Sequence, residues 1–177
     1  MGQHLRDPSS SSSSLSSLPG SGSESYTPQF TYHAFQYAQV DNWPVATHGA
    51  PTVDDFEARA LRSDVEVATA VSSSSPVLDA IDEMTRNAFK ANWAQGIQSD
   101  CPGRERLGYG GDVLASAGGG LSQFDSGSFY RKRADDYAES QMSNGGLPET
   151  APWIGISSCS LGGNSGPVEW GAALVWL

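Results

Sequence analysis

The spacing of apolar residues changes between residues 71 and 76, and this change most limits the possible fold. Residues 30–37 and 56–67 alternate apolar and polar side chains, which is typical of strands. A Ser75–Pro76 pair, typical of a helix start, then opens a stretch of helical spacing. Its apolar stripe comprises Val77, Ile81, Met84 and Ala88, widened by Leu78, Phe89 and Trp93. These positions have the spacing of core residues, but we expect too few helices in this chain to cover them fully. Two to four strands followed by helices are predicted, and so few strands do not close a sandwich.

The segments on either side complete a three-part organisation. Residues 1–29 are rich in Ser, Gly and Pro and bury too little to offset chain entropy, so we expect a disordered tail, a linker or an artefact of gene modelling. The predicted domains are this tail at 1–29, strands at 30–71 and helices at 72–177. Further helices are predicted over 113–123 and 128–142, and a last one opens near Glu169. The chain stops inside an apolar run, which we interpret as truncation.

Charge and cysteine usage exclude several classes of partner. The formal net charge is −10, so neither nucleic acid nor an anionic membrane is an expected partner. The short basic run at 131–133 is followed by acidic residues, and we predict that it is a solvated helix face. Cys101 and Cys159 lack metal-ligand spacing, so we expect two free thiols and predict no metal and no other cofactor. The cellular compartment stays undecided.

One segment, residues 99–112, combines residues suited to sugar chemistry. It holds three carboxylates among glycines, a proline and two arginines: Asp100, Glu105 and Asp112. Glycoside hydrolysis needs one protonated carboxyl group and others that stay ionised, and clustering raises the proton affinity of one member. Arg104 and Arg106 could keep neighbouring groups ionised. The alternative is a surface loop whose charges pair with each other.

Residues 100–112 also resemble the active-site loop of glycoside hydrolase family 78, the α-L-rhamnosidases. The sequence there reads Asp-Cys-Pro-Gly-Arg-Glu-Arg-Leu-Gly-Tyr-Gly-Gly-Asp. Residues 32–37 resemble the strand that ends the family's β-sandwich, although Ala34 and Gln36 replace the usual Gly and Arg. Residues 145–148 and 166–171 resemble later loops of its catalytic barrel. The resemblance covers roughly residues 30–177 and excludes the serine-rich tail.

The resemblance implies a mixed fold, the end of a β-sandwich followed by the first helices of an incomplete α/α six-hairpin barrel. It also implies inversion of configuration, with Glu105 as the general acid. Its other expected sugar contacts are Asp100, Arg104, Tyr109, Asp112 and Trp170. No residue of this chain matches the family's general base, which lies much later.

The expected function is therefore hydrolysis of terminal α-L-rhamnosides, from a rhamnose-containing glycoside or polysaccharide, in the complete enzyme. We expect the 177-residue chain to be inactive alone. The alternative is a non-catalytic carbohydrate-binding remnant or an inactive truncated gene product.

Overall fold

A computed structural model describes residues 2–6, 13–17, 25–155 and 165–176. The chain forms two compact units. The first unit comprises Met1–Leu61 together with Pro102–Arg104, and the second comprises Arg62–Cys101 together with Glu105–Leu177.

The first unit contains a three-stranded antiparallel sheet in the order β2-β1-β3. Its strands are β1 at Gly2–Arg6, β2 at Ser13–Ser17 and β3 at Gln39–Asp41. β1 is central, so His4 lies opposite both Leu15 and Asp41. The expectation of a disordered tail is therefore wrong for β1 and β2. Composition measures what side chains can bury, whereas a strand ladder forms between backbone groups, whatever the side chains.

Most of the strands predicted between residues 30 and 71 do not form. Within the described part of this segment, β3 is the one strand, and Val67 makes an isolated bridge to Phe124. The rest is irregular apart from the short helix α1 at Val45–His48 and a 3-10 turn at Val53–Asp55. Phe30 is 100% exposed and Tyr37 is also exposed. Alternating apolar and polar residues form a strand only where a neighbouring strand pairs with them, and Phe30 and Tyr37 have no paired strand in the described chain.

The second unit is helical, as predicted. Its elements are α2 at Pro76–Asn92, the short strands β4 at Trp93–Ala94 and β5 at Ile97–Gln98, α3 at Gly110–Gln123, α4 at Gly127–Glu139, α5 at Val168–Gly171 and α6 at Ala173–Trp176. The start of α2 at Ser75 and Pro76 is confirmed. α3 begins three residues before its predicted start, which moves Asp112 from the loop onto its first turn.

Trp93 is the centre of the second unit's core. It is 1% exposed, and its ring centroid lies 5.0 Å from that of Phe124, 4.7 Å from Phe129 and 5.8 Å from Tyr130. A Cβ at Gly120 would lie 2.9 Å from Cζ2 of Trp93, so glycine is needed for this approach. The run of three glycines at 118–120 weakens the helix propensity of α3, but Gly120 lets the indole pack against the helix.

The apolar stripe of α2 lies outside this core. No residue of α2 is buried, and Val77, Leu78, Ile81 and Met84 are between 48% and 67% exposed. The expectation that too few helices are present to cover this stripe fully is therefore confirmed for the described chain. Only the end of the stripe is covered, where the half-buried Phe89 packs against the core cluster. None of the described helices is long and apolar enough to cross a membrane.

Candidate active site

The acidic loop is closed by its own backbone. The N–H of Asp100 donates to the carbonyl of Leu107 at 3.1 Å, and the N–H of Leu107 donates to Oδ1 of Asp100 at 3.0 Å. The N–H of Arg106 donates to the carbonyl of Cys101 at 3.2 Å, inside the first pair. These bonds fold the chain back, so that potential ligand atoms of Asp100, Cys101 and Glu105 all lie within 4.8 Å of one another.

The turn that follows Glu105 has an uncommon backbone conformation. Arg106 has a φ of 57°, in the left-handed region that a side chain with a Cβ disfavours. A residue of this kind costs about 1–3 kcal/mol and persists where the surrounding structure enforces it. Here the enforcing contacts are the loop bonds of Asp100 and Leu107. Glu105 is thereby held as the last residue of a closed turn, directly before Arg106.

Asp112 joins the other two carboxylates from the first turn of α3. Burial, then the charge of Asp100, then that of Glu105 raise the pKa of Asp112 above its ordinary value. Asp100 and Asp112 also line one open cavity of about 300 Å³, together with Asn92, Ser99 and Ser116. The two other carboxylates predicted from the sequence therefore lie close enough to Asp112 for their charges to raise its pKa.

Two predicted aromatic residues lie next to this cluster. The rings of Tyr109, which precedes α3, and Trp170 on α5 meet edge to face with centroids 5.8 Å apart. A Cβ at Gly111 would lie 2.7 Å from Cε2 and Nε1 of Trp170, and one at Gly110 would lie 2.5 Å from its carbonyl oxygen. Glycines at both positions let α5 pack against the start of α3. Trp170 therefore lies beside the turn that carries Asp112.

The sixth predicted residue, Arg104, is exposed and belongs to the first compact unit. Its contact with sugar, which the resemblance implies, stays a prediction. The second unit brings together the other five residues, namely Asp100, Glu105, Tyr109, Asp112 and Trp170.

Arg133 supports the end of the loop and was not predicted to do so. It is fully buried, and its guanidinium donates to the carbonyls of Ala151 at 2.6 Å and Gly108 at 3.1 Å, and to Oδ2 of Asp136 at 2.9 Å. The hydroxyl of Tyr137 donates to the same Gly108 carbonyl at 3.0 Å. The prediction that residues 131–133 form a solvated face is wrong at Arg133. Its spacing of four residues from both Phe129 and Tyr137 places it on the apolar side of α4, and this was the available signal.

The cluster of Asp100, Cys101 and Glu105 is the group of described side chains close enough to share a cation. All three are partly exposed, and acidic groups at such spacing are common without a metal, so spacing alone assigns none here. Within the described residues Cys101 forms no disulfide, and Cys159 lies outside them.

Both parts of the chain match sequence profiles of known domains. Residues 66–177 match the bacterial alpha-L-rhamnosidase six-hairpin glycosidase domain. Residues 3–62 match the bacterial alpha-L-rhamnosidase concanavalin-like domain.

Similar curated proteins and solved structures are also named alpha-L-rhamnosidase. An alpha-L-rhamnosidase of Streptomyces avermitilis is 29% identical over 157 residues, covering 88% of this chain and 14% of the relative. One from Formosa agariphila is 27% identical, covering 89% of this chain and 16% of the relative. The chain thus spans about a seventh of the length of these curated relatives.

Among solved structures, the alpha-L-rhamnosidase from Dictyoglumus thermophilum matches with a TM-score of 0.84 and 26% identity, over 98% of this chain and 20% of that one. The Streptomyces avermitilis alpha-L-rhamnosidase, solved in complex with L-rhamnose, matches with a TM-score of 0.76 and 25% identity, over 87% of this chain and 16% of that one.

Proposed function

The chain belongs to the bacterial α-L-rhamnosidase family of glycoside hydrolases, and from this premise we propose that it supplies the proton-donating and sugar-binding part of a site that hydrolyses terminal α-L-rhamnosides. Its fold combines a concanavalin-like domain with part of a six-hairpin glycosidase domain. In the proposal, Glu105 protonates the leaving oxygen and Asp100 and Asp112 accept hydrogen bonds from the sugar hydroxyls. Tyr109 and Trp170 contact the sugar ring.

The convergence of the three carboxylates supports this assignment most strongly. The transition state of glycoside hydrolysis has oxocarbenium character, so ionised carboxylates near the ring stabilise it. A second, protonated carboxyl group donates to the departing oxygen, and neighbouring negative charges help it to retain that proton. Asp100, Glu105 and Asp112 provide both conditions within one loop and the helix turn that follows it.

Asp112 is a second candidate for the proton donor. Its pKa is raised by burial and by Asp100 and Glu105, which favours the protonated form. Glu105 is preferred because the closed turn holds it directly before the constrained Arg106 and because the family resemblance assigns the donor to this position. The two assignments predict different effects of leaving-group acidity, so one experiment separates them.

We further propose that the reaction inverts the anomeric carbon. Inversion needs a second carboxylate that activates water on the opposite face of the sugar, about 6.5–9.5 Å from the acid. No residue of this chain is assigned to that role. An added nucleophile that needs no activation, such as azide, can therefore replace water and report on the acid alone.

The test incubates the 177-residue chain with azide and aryl α-L-rhamnosides. Azide forms a bond to the anomeric carbon as the C–O bond breaks, and the proton from Glu105 goes to the departing phenolate oxygen. The products are β-L-rhamnosyl azide and the phenol, which NMR distinguishes from the α-azide that retention would give. Glu105→Gln should slow the reaction of the phenyl glycoside by about 100- to 10,000-fold. It should leave the 2,4-dinitrophenyl glycoside nearly unaffected, since that leaving group needs no proton.

Glu83→Gln, an exposed change on α2, is the matched control and should have no effect on either substrate. Asp112→Asn should slow both substrates alike, because it weakens sugar binding. If Asp112→Asn shows the leaving-group dependence in place of Glu105→Gln, the donor is Asp112. If the unaltered chain binds L-rhamnose and forms no azide product, the hydrolytic proposal fails and the alternative of a non-catalytic sugar-binding domain holds.

A further inference from the structure

The Gln98 side chain uses all of its hydrogen-bonding capacity. It is 4% exposed at the end of β5. Its Nε2 donates to the carbonyl of Asp112 at 3.1 Å and to Oγ of Ser116 at 2.5 Å. Its Oε1 accepts from Nε1 of Trp93 and from the hydroxyl of Tyr130, both at 3.2 Å. An amide has two donor hydrogens and one oxygen with two lone pairs, so no capacity is left over.

These partners also fix the orientation of the amide. The indole N–H of Trp93 can only donate, and the carbonyl of Asp112 can only accept. Turning the amide over would place two donors against each other and two acceptors against each other. A buried polar group with its partners removed costs about 1–3 kcal/mol, so the observed orientation is strongly favoured.

Gln98 connects the two parts of the chain that carry the sugar-binding carboxylates. It lies two residues before Asp100, on a strand held against Trp93. The next backbone N–H, that of Ser99, donates to the carbonyl of Asn92 at 2.8 Å and anchors the strand to the end of α2. The amide of Gln98 reaches the first turn of α3 and donates to the backbone carbonyl of Asp112. Gln98, Asp100 and Asp112 all line the same cavity.

We propose that Gln98 is a positioning residue that sets the separation of the Asp100 and Asp112 carboxylates. This inference rests on the proposed function, in which those carboxylates bind the sugar. An apolar residue of equal size would fill the space between Trp93 and Tyr130 without tying α3 to β5. Gln98 is thus more polar than the packing of this core requires, and its added bonds go to the backbone of a site residue.

The test replaces Gln98 with Met, which keeps the length and removes all four hydrogen bonds. Asp112 should then gain solvent and move away from Asp100 and Glu105, the charged groups that act on it. NMR titration of the Asp112 carboxyl should show its pKa falling toward the ordinary value of 3.8. The dissociation constant for L-rhamnose should rise about tenfold or more, an effect of about 1.4 kcal/mol.

Gln123→Met is the matched control, because it makes the same substitution at the last residue of α3, the helix to which Gln98 is bonded. It should change neither the Asp112 pKa nor rhamnose affinity. Tyr130→Phe removes one donor to Gln98 and leaves the ring in place, so it should give a smaller shift in the same direction. It decides the matter if Gln98→Met does not fold.

A folded Gln98→Met or, failing that, Tyr130→Phe chain with unchanged Asp112 pKa and unchanged rhamnose affinity would overturn the inference. If the unaltered chain has no affinity for rhamnose but the Asp112 pKa still falls in Gln98→Met, the positioning role holds and the proposed function fails.

Discussion

At the scale of single residues, glycine at position 111 determines how closely Trp170 approaches the acidic cluster. Any larger residue there would place its Cβ 2.7 Å from two atoms of the indole, which is closer than real contacts allow. The indole would have to shift away from Tyr109 and from the turn that carries Asp112. The two glycines that begin α3 are poor helix formers, but Gly111 leaves the space that Trp170 occupies beside the acidic cluster.

Gly111→Ala should therefore weaken L-rhamnose binding by about tenfold, equivalent to about 1.4 kcal/mol, while the helix remains folded. Gly118→Ala is the matched control on the same helix, since a Cβ at Gly118 meets nothing within 4 Å. It should leave binding unchanged and stabilise the chain by about 0.5–1 kcal/mol, because alanine is the better helix former. Calorimetric titration and urea unfolding measure the two effects. Equal rhamnose affinity in both variants would show that Trp170 does not contact the sugar.

Whether a residue of the candidate site could be predicted depends on whether its partners are near to it in the sequence. The grouping of Asp100, Glu105 and Asp112 could be predicted because these three carboxylates are close together in the sequence. Gln98 could not, because its role depends on partners that are distant in sequence, such as Tyr130. Trp170 was predicted only through the family resemblance, since nothing in the local sequence near residue 170 indicates that it meets α3.

At the scale of elements, α4 fixes the position at which the acidic loop joins α3. Arg133 and Tyr137 both donate to the carbonyl of Gly108, and Arg133 also donates to Ala151 on the next segment. Asp136 on the same helix supplies the counter-charge at 2.9 Å. The buried cation is thus bonded to two loop carbonyls and one carboxylate, an arrangement that keeps a charge stable inside the unit.

Arg133→Met should destabilise the second unit by about 1–3 kcal/mol, because the buried carbonyls of Gly108 and Ala151 and the carboxylate of Asp136 each lose a donor. Arg131→Met, an exposed neighbour on the same helix, should change the free energy of unfolding by less than about 0.5 kcal/mol. Urea denaturation followed by tryptophan fluorescence measures both. Similar unfolding midpoints for the two variants would contradict the role assigned to Arg133.

The same helix shows why a charge run predicts exposure imperfectly. Arg131 and Lys132 are exposed as expected, but Arg133 follows the spacing of Phe129 and Tyr137 and is drawn into the core. The strands predicted between residues 30 and 71 were mostly wrong because their pairing, unlike the burial of Arg133, is not set by local spacing. Alternation near Phe30 and Tyr37 describes the residues of a strand, but pairing depends on a neighbour that the local sequence does not specify.

At the scale of the whole molecule, the second unit has a core on one side and an uncovered stripe on the other. The core is organised around Trp93, and the stripe runs along α2 from Val77 to Met84. An exposed apolar stripe of this kind favours association in water, since contact between two stripes removes apolar area from solvent.

We predict that the chain self-associates through this stripe and that Ile81→Lys weakens the association about tenfold, equivalent to about 1.4 kcal/mol. Glu83→Lys, an exposed change on the same helix outside the stripe, controls for the added positive charge and should have a smaller effect. Sedimentation velocity over a range of concentrations measures both. A chain that stays monomeric at all concentrations, or equal effects of the two changes, would show that α2 does not drive association.

The change from strand to helix near residue 76 and the helical second unit follow from apolar spacing alone. The arrangement of the helices around Trp93 does not, because it depends on close approaches at single glycines. The amount of α2 that is covered also could not be read from its own pattern, which describes a helix able to bury a face but not what covers it.

Titration of the chain with L-rhamnose, followed by NMR of the Trp170 indole N–H, tests the central claim most directly. We expect saturable shifts of this signal and of the Asp112 carboxyl with L-rhamnose. Shifts with L-fucose, which has the same 6-deoxy group but different hydroxyl orientations, should be much smaller. Asp112→Asn should weaken the binding, because it removes a charge-assisted hydrogen bond to the sugar. Absence of saturable shifts in a folded chain, or equal affinity in Asp112→Asn, would contradict the claim that this cluster is a rhamnose site.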